Sequence, residues 1–256
     1  TTKVSLSSLG AFHVLIHGRS QAESTYSILE GLGSHESVYW VTLAGGNYVY
    51  VGSHLRGIQE LPALVEFVGE TGRMPDATVG IIHEDFSGKG RPLDELLQPL
   101  DWEIVRSLSH DSRKAVSTIA EEVGASSRTV RRRLKRLIDE NLVEFSINWY
   151  PSATNDINTV VHLEPGSASA EGVIGRFMSE YQPNALFAWR FSNLPDQVIA
   201  FLWAPSMNML REITERMGGD EAFRSTTPII LYAGNLYETW RDRLVLEKAD
   251  PPRCGI

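Results

Sequence analysis

Residues 100–151 read LDWEIVRSLSHDSRKAVSTIAEEVGASSRTVRRRLKRLIDENLVEFSINWYP, and their apolar spacing lays out three short helices. Ile104, Val105 and Leu108 give the first helix one apolar stripe, and Val116, Ile119, Ala120 and Val123 recur at i, i+3, i+4, i+7 in the second. Gly124 ends that second helix. Ser126 or Ser127 is placed to accept the free backbone N–H bonds at the start of a third, so the turn between them is only about three residues, as a helix-turn-helix requires. In the third helix Val130, Leu134, Leu137 and Ile138 fall at i, i+4, i+7, i+8 and are predicted to face the core. At about 100° per residue, Ser127, Arg128, Arg131, Arg132 and Lys135 then share the solvent side. Val143–Tyr150 alternates enough to be a strand, forming a wing or leading into the next domain.

Charge singles out the same helix. The 256-residue chain carries a net charge of -8, which by itself argues against a polyanionic partner. From Ser126 to Leu137, however, Arg128, Arg131, Arg132, Arg133, Lys135 and Arg136 stand without an acid, so the total divides into +6 here and -14 elsewhere. A merely solvated helix interleaves acids at i+4, and none occurs before Asp139. The expected partner is double-stranded DNA. Ser127, Arg128 and Arg131, on the first turns beside the cap at Ser126, are placed for base edges, where an arginine fork matches guanine O6 and N7. Arg132, Arg133, Lys135 and Arg136 are assigned to phosphates, which position the protein without reading sequence.

Outward from this segment the pattern repeats. Ala11–His17, Ala22–Leu32, Val38–Leu43, Tyr48–Gly52, Leu61–Val68 and Ala77–His83 read as strand, helix, strand, strand, helix, strand, and the same order returns from Asn158 to Tyr232. Such a unit closes as a four-stranded antiparallel sheet with both helices on one face. The predicted fold is α+β, two ferredoxin-like β-α-β-β-α-β domains flanking a central winged helix-turn-helix. The expected boundaries are 1–85, a linker at 86–99 rich in glycine, 100–150, and 151–256 including a C-terminal extension. Each sheet leaves one face uncovered, so pairing of the two copies or homo-oligomer formation is expected.

The run GASSRTVRRRLKRL followed by NLV resembles the helix-turn-helix of the Lrp/AsnC (leucine-responsive regulator) family, and the αβ unit after it resembles that family's ligand-binding domain, together covering residues 100–235. The resemblance implies a homo-oligomeric transcription regulator with an amino acid or related metabolite as effector. In that family a glycine-containing turn helps shape the effector site, which points here to Gly45, Gly46, Asn47 and Tyr48, although a hairpin that simply needs glycine is the better explanation of them. The corresponding Ser192-Asn193-Leu194-Pro195-Asp196 lacks glycine. Family members begin with the DNA-binding segment, whereas TTKVSLSSLG stands before the first αβ unit in the place that VEFSINWYPSATND occupies before the second. The expectation is a further winged helix upstream in the full gene product.

Other chemistry lacks its signatures. No phosphate-binding, dinucleotide, zinc-protease or nucleophile-elbow pattern occurs, so no catalytic residue and no cofactor is expected. His13 and His17 share a strand face and His83-Glu84-Asp85 offers ligand types, but each is more simply structural, so no metal is assigned. The single cysteine, Cys254, supports neither a disulfide within the chain nor a cysteine zinc site. No apolar run approaches the ~20 residues of a membrane span and no signal peptide opens the chain, which makes a cytoplasmic location the expectation. Trp40, Trp189 and Trp203 fall on predicted strands and suit sheet-face packing. Two rivals remain: an enzyme resembling siroheme decarboxylases, for which Trp189-Arg190 and the histidines would serve, and a protein-only assembly or co-regulator module.

Overall fold

A computed structural model describes residues 1–83, 93–146, 148, 150, 151, 153 and 155–250. The chain opens with β1 (Thr2–Val4) and α1 (Leu6–Leu9), then runs through β2 (Phe12–Arg19), α2 (Leu29–Gly33), β3 (Val38–Ala44), β4 (Tyr48–Leu55), α3 (Leu61–Thr71) and β5 (Thr78–Ile81). The central segment holds α4 (Leu93–Leu96), α5 (Pro99–Leu108), α6 (Val116–Glu122), α7 (Ser127–Asp139) and β6 (Val143–Phe145). The second αβ unit is β7 (Ile157–Pro165), α8 (Ala170–Glu180), β8 (Ala185–Arg190), β9 (Val198–Ala204), α9 (Met207–Gly218) and β10 (Phe223–Leu236), followed by α10 (Trp240–Ala249).

Both repeats have the ferredoxin-like strand order, β5-β2-β4-β3 and β10-β7-β9-β8, but they do not form separate sheets. Strand β10 is 14 residues long, pairing with β7 from Phe223 to Leu231 and with β3 from Leu231 to Leu236, so it sews the halves into one eight-stranded antiparallel sheet. The outer edges then meet. Ile82 forms a bridge with Phe191, His83 N donates to Arg190 O at 2.9 Å, and Ser192 N donates to Ile81 O at 2.8 Å. Asn193 completes the seam, its Oδ1 accepting from Ile81 N and its Nδ2 donating to Val79 O, both at 2.8 Å. The sheet thus closes around an interior of Leu15, Trp40, Tyr50, Val160, Phe201 and Leu231. Gly80 permits the closure, since a Cβ there would stand 2.4 Å from the Phe191 ring.

Outside the sheet, α2 and α3 cover the first half through Leu29, Leu32, Leu64 and Val68, and α8 and α9 cover the second through Val173, Phe177, Leu210 and Met217. Each such buried side chain contributes roughly 1.5–3 kcal/mol relative to exposure. The helix expected over Ala22–Leu32 is realised as a 3-10 turn, Thr25–Ile28, running into the short α2. Ser24, Thr25 and Ser27 favour local hydroxyl bonds over a regular helix, and Ser27 Oγ does donate to Ser24 O at 2.7 Å.

The domain boundaries also differ from the expected ones. Strand β1 pairs with β6 in a separate two-stranded sheet, and Val4 packs with Trp102, Ile104, Val130, Leu137 and, from α10, Val245 in one core. The helix-turn-helix domain is therefore assembled from three stretches of chain, with both described ends contributing. Of the wing strand predicted over Val143–Tyr150, Val143–Phe145 is regular among the described residues, paired with the three-residue β1. The first half of the expected linker at 86–99 lies outside the described residues; its second half contains α4 and the start of α5.

Candidate nucleic-acid interface

The turn between α6 and α7 is held by two backbone devices. Gly124 takes the left-handed conformation (φ +63), letting Ala125 N donate to Ala120 O at 3.0 Å, and Ser126 Oγ caps α7 by accepting from Thr129 N at 3.1 Å. Val130 and Leu137 are fully buried and Leu134 is half-buried, which fixes the rotation of α7. Arg128, Arg131, Arg132 and Lys135 consequently face solvent, with Ser127 half-buried beside them. Among the described residues, Arg128, Arg131 and Arg132 have no carboxylate partner. Lys135 Nζ reaches Asp139 at 2.7 Å, an i,i+4 pair whose lysine side chain is 74% exposed and open to exchange. Ile138, expected in the core, is exposed because it lies one flank too far round the helix from Val130 and Leu137.

Two of the predicted phosphate ligands are half-buried and engaged by the fold. Arg133 Nη1 donates to Asp101 Oδ2 at 3.1 Å and Arg136 Nη2 donates to the same oxygen at 2.6 Å and to Leu96 O at 3.1 Å. Asp101 has no solvent exposure, and its Oδ2 also accepts from Gln98 N at 2.9 Å at the start of α5. The pair of arginines therefore ties α7 to α5, with side chains still 26% and 33% exposed. The sequence held a signal for Arg133, which sits at i+3 from Val130 and i-4 from Leu137, inside the buried stripe itself. Asp101 was missed; an acid among Leu100, Trp102, Ile104 and Val105 in a helix's first turn is the pattern that would have revealed it.

The turn considered for an effector is Gly45–Asn47, a single 3-10 turn joining β3 to β4 with left-handed Gly46 (φ +71) and Asn47 (φ +58). Gly45, Gly46 and Asn47 are exposed, and a Cβ at either glycine would meet nothing within 4 Å, so conformation rather than crowding sets the choice of glycine at Gly46. Tyr48 turns inward, its hydroxyl 2.9 Å from His17 Nδ1. His13 and His17 share the interior face without converging: His13 Nε2 meets Tyr39 Oη at 2.8 Å, whereas His17 packs edge-on against His162 with ring centroids 5.1 Å apart. Glu84 and Asp85, named beside His83, lie outside the described residues, and so does Cys254. Among the described residues no group of three or more His, Cys, Asp or Glu converges on a metal position, and no helix is long and apolar enough to cross a membrane.

Residues 97–138 match the family model for the AsnC-type helix-turn-helix domain. Among solved structures, siroheme decarboxylase NirDL aligns over 97% of this chain and 82% of its own, with a TM-score of 0.64 at 12% identity. MtbAldR aligns over 57% of this chain and 97% of its own, with a TM-score of 0.45 at 24% identity. AsnC of E. coli covers 57% of this chain and 98% of its own, at a TM-score of 0.43 and 14% identity. No curated protein matches the sequence. The chain therefore carries an AsnC-type helix-turn-helix domain at residues 97–138, set beside two ferredoxin-like αβ units. The αβ unit is duplicated, with both copies in one closed sheet and, over the described residues, one helix-turn-helix.

Proposed function

We propose that this protein is a sequence-specific, double-stranded-DNA-binding transcription regulator that performs no catalytic step, acts in the cytoplasm as a homo-oligomer, and responds to an amino acid or related small metabolite. The observation that carries this reading is the outer face of α7. Arg128, Arg131 and Arg132 project from a helix whose opposite side is locked by Val130 and Leu137, and none of the three has a carboxylate partner among the described residues. Three unpaired arginines on one rigid face repel one another unless a polyanion meets them, and a helix entering a major groove brings its first turns to base edges.

The test is selection of bound genomic fragments by the purified chain, followed by binding isotherms across a salt series. Enrichment of a common sequence, with affinity falling steeply as salt rises, is expected. Failure to retain any duplex at about 50 mM salt, where phosphate contacts are strongest, overturns the reading. A second reading is left open by the fold likeness to NirDL at 12% identity, namely an enzyme acting on a tetrapyrrole. Its mark is a visible absorption band on titrating a tetrapyrrole into protein that shifts no DNA.

A further inference from the structure

At one mouth of the closed sheet, where it meets the helix-turn-helix domain, lies a cavity of about 880 Å³. The size is that of a small-molecule site, typically ~300–1,000 Å³. Its floor comes from both αβ halves: Tyr39 and Trp40 on β3 face Phe187 and Trp189 on β8 and Trp203 on β9. These rings are ordered against one another, Phe187 and Trp189 at 5.2 Å and His13 edge-on to Trp189 at 5.2 Å. The opposite wall belongs to the helix-turn-helix domain, with Ser112 and Arg113 from the loop between α5 and α6 and Phe145 from β6.

Two features show that this space is built for an occupant. Phe145 is 51% exposed and Leu186 and Phe187 are 37% exposed each, and all three line this one cavity, so the fold spends apolar surface here without covering it. The charges on its rim are also unequal in availability. Arg241 is committed to Val4 O at 2.6 Å and Glu144 at 2.8 Å, and Lys3 to Asp242 at 2.7 Å, whereas the exposed Arg113 has no carboxylate partner among the described residues. Aromatic walls select a flat conjugated body, and a free guanidinium at the entrance selects an anionic group.

We infer that this cavity binds a planar aromatic acid, which stacks on Phe187 and Trp189, pairs with Arg113, and thereby couples the closed sheet to the helix-turn-helix. The site is separate from the Gly45–Tyr48 turn. Its consequence for DNA rests on the regulator reading above; binding itself does not. An occupant touching both walls stabilises one placement of the α5–α6 loop and the wing over others, and a ligand shifts an equilibrium by its difference in affinity for the two states.

The probe is 8-anilinonaphthalene-1-sulfonate, an anion carrying a flat naphthalene ring system, titrated into the intact chain with fluorescence as readout and indole-3-acetate as competitor. One saturable site, displaced by the competitor and weakened at least tenfold in both Phe187→Ala and Arg113→Glu, is expected. Both positions are surface-exposed, and a cooperative denaturation curve for each variant establishes that it is folded. Absence of a saturable site, or affinity unchanged in the two variants, overturns the inference. With the probe saturating, DNA affinity is expected to change about fivefold or more, as for ordinary coupled sites, and unchanged affinity overturns the coupling. A chain that binds probe and no DNA at any salt defeats the regulator reading while leaving the cavity assignment in place.

Discussion

Arg136 Nη2 lies 2.6 Å from Asp101 Oδ2, joining the third helix of the helix-turn-helix to a carboxylate with no access to solvent. Arg133 shares that oxygen at 3.1 Å. Breaking a buried pair from one side leaves the other charge without compensation, at a cost of about 3–5 kcal/mol. Arg136→Ala is therefore expected to lower stability to chemical denaturation by about 3 kcal/mol, with Arg133→Ala somewhat less because its bond is longer. Arg132→Ala, which removes nothing the fold uses, should stay within about 0.5 kcal/mol of the parent. Equal effects of Arg136→Ala and Arg132→Ala would show that the network contributes nothing.

On DNA the order reverses. Arg128→Ala and Arg131→Ala should relax base preference, each by about 1–3 kcal/mol at one position of the operator. Arg132→Ala and Lys135→Ala should weaken all sequences alike and reduce the slope of log K against log salt by about 0.9 each. Isotherms on matched and mismatched duplexes separate the two behaviours, and identical profiles for all four variants would remove the groove assignment.

Closure of the sheet depends on Gly80 beneath Phe191. A Cβ placed 2.4 Å from that ring must displace it, and overpacking of this kind costs about 1–3 kcal/mol. Gly80→Ala should depress the thermal midpoint and speed amide exchange at Ser192 and Ile81, which are bonded across the seam. Phe191→Ala combined with Gly80→Ala should recover part of the loss, and strictly additive effects would place the strain elsewhere.

The interior histidines give a pH dependence of definite sign. Burial, together with neighbouring His162, pushes His17 down to about 3, and burial holds His162 at about 4. The unfolded chain takes up these protons below pH ~6.5 while the folded chain refuses them, so stability falls as pH drops from ~6.5 toward ~4, by up to about 1.4 kcal/mol per pH unit for each histidine. Denaturation midpoints at pH 7.5 and pH 5 should differ accordingly, and His162→Asn should flatten the difference. A His162→Asn profile as steep as the parent's would exclude this histidine as a source.

What could be read from the sequence follows the range over which each force acts. The face of α7 carrying Arg128 and Arg131 was legible because a helical period is local, and the two αβ units were legible because their strands and helices repeat in order. The tie from Arg133 and Arg136 to Asp101 was not legible, because Asp101 lies some 30 residues earlier and only the packed structure brings it to them. The pairing of β1 with β6, the return of α10 to the helix-turn-helix core and the Asn193 clamp on β5 join residues more than 100 positions apart. No short-range pattern encodes such encounters. The Gly45–Asn47 turn shows the converse, since its glycine content was visible while its exposed setting was not.

The sewing of both αβ halves through β10 has an evolutionary and kinetic corollary. Halves held on one polypeptide find each other at a rate independent of concentration, and dilution never parts them. They are also released from the symmetry that two identical subunits must obey, under which both ends of the barrel would be built from the same residues. Here one end presents a tryptophan-rich wall from one half opposite histidine and tyrosine from the other, a heterogeneous chamber that no pair of equal subunits is able to assemble only once.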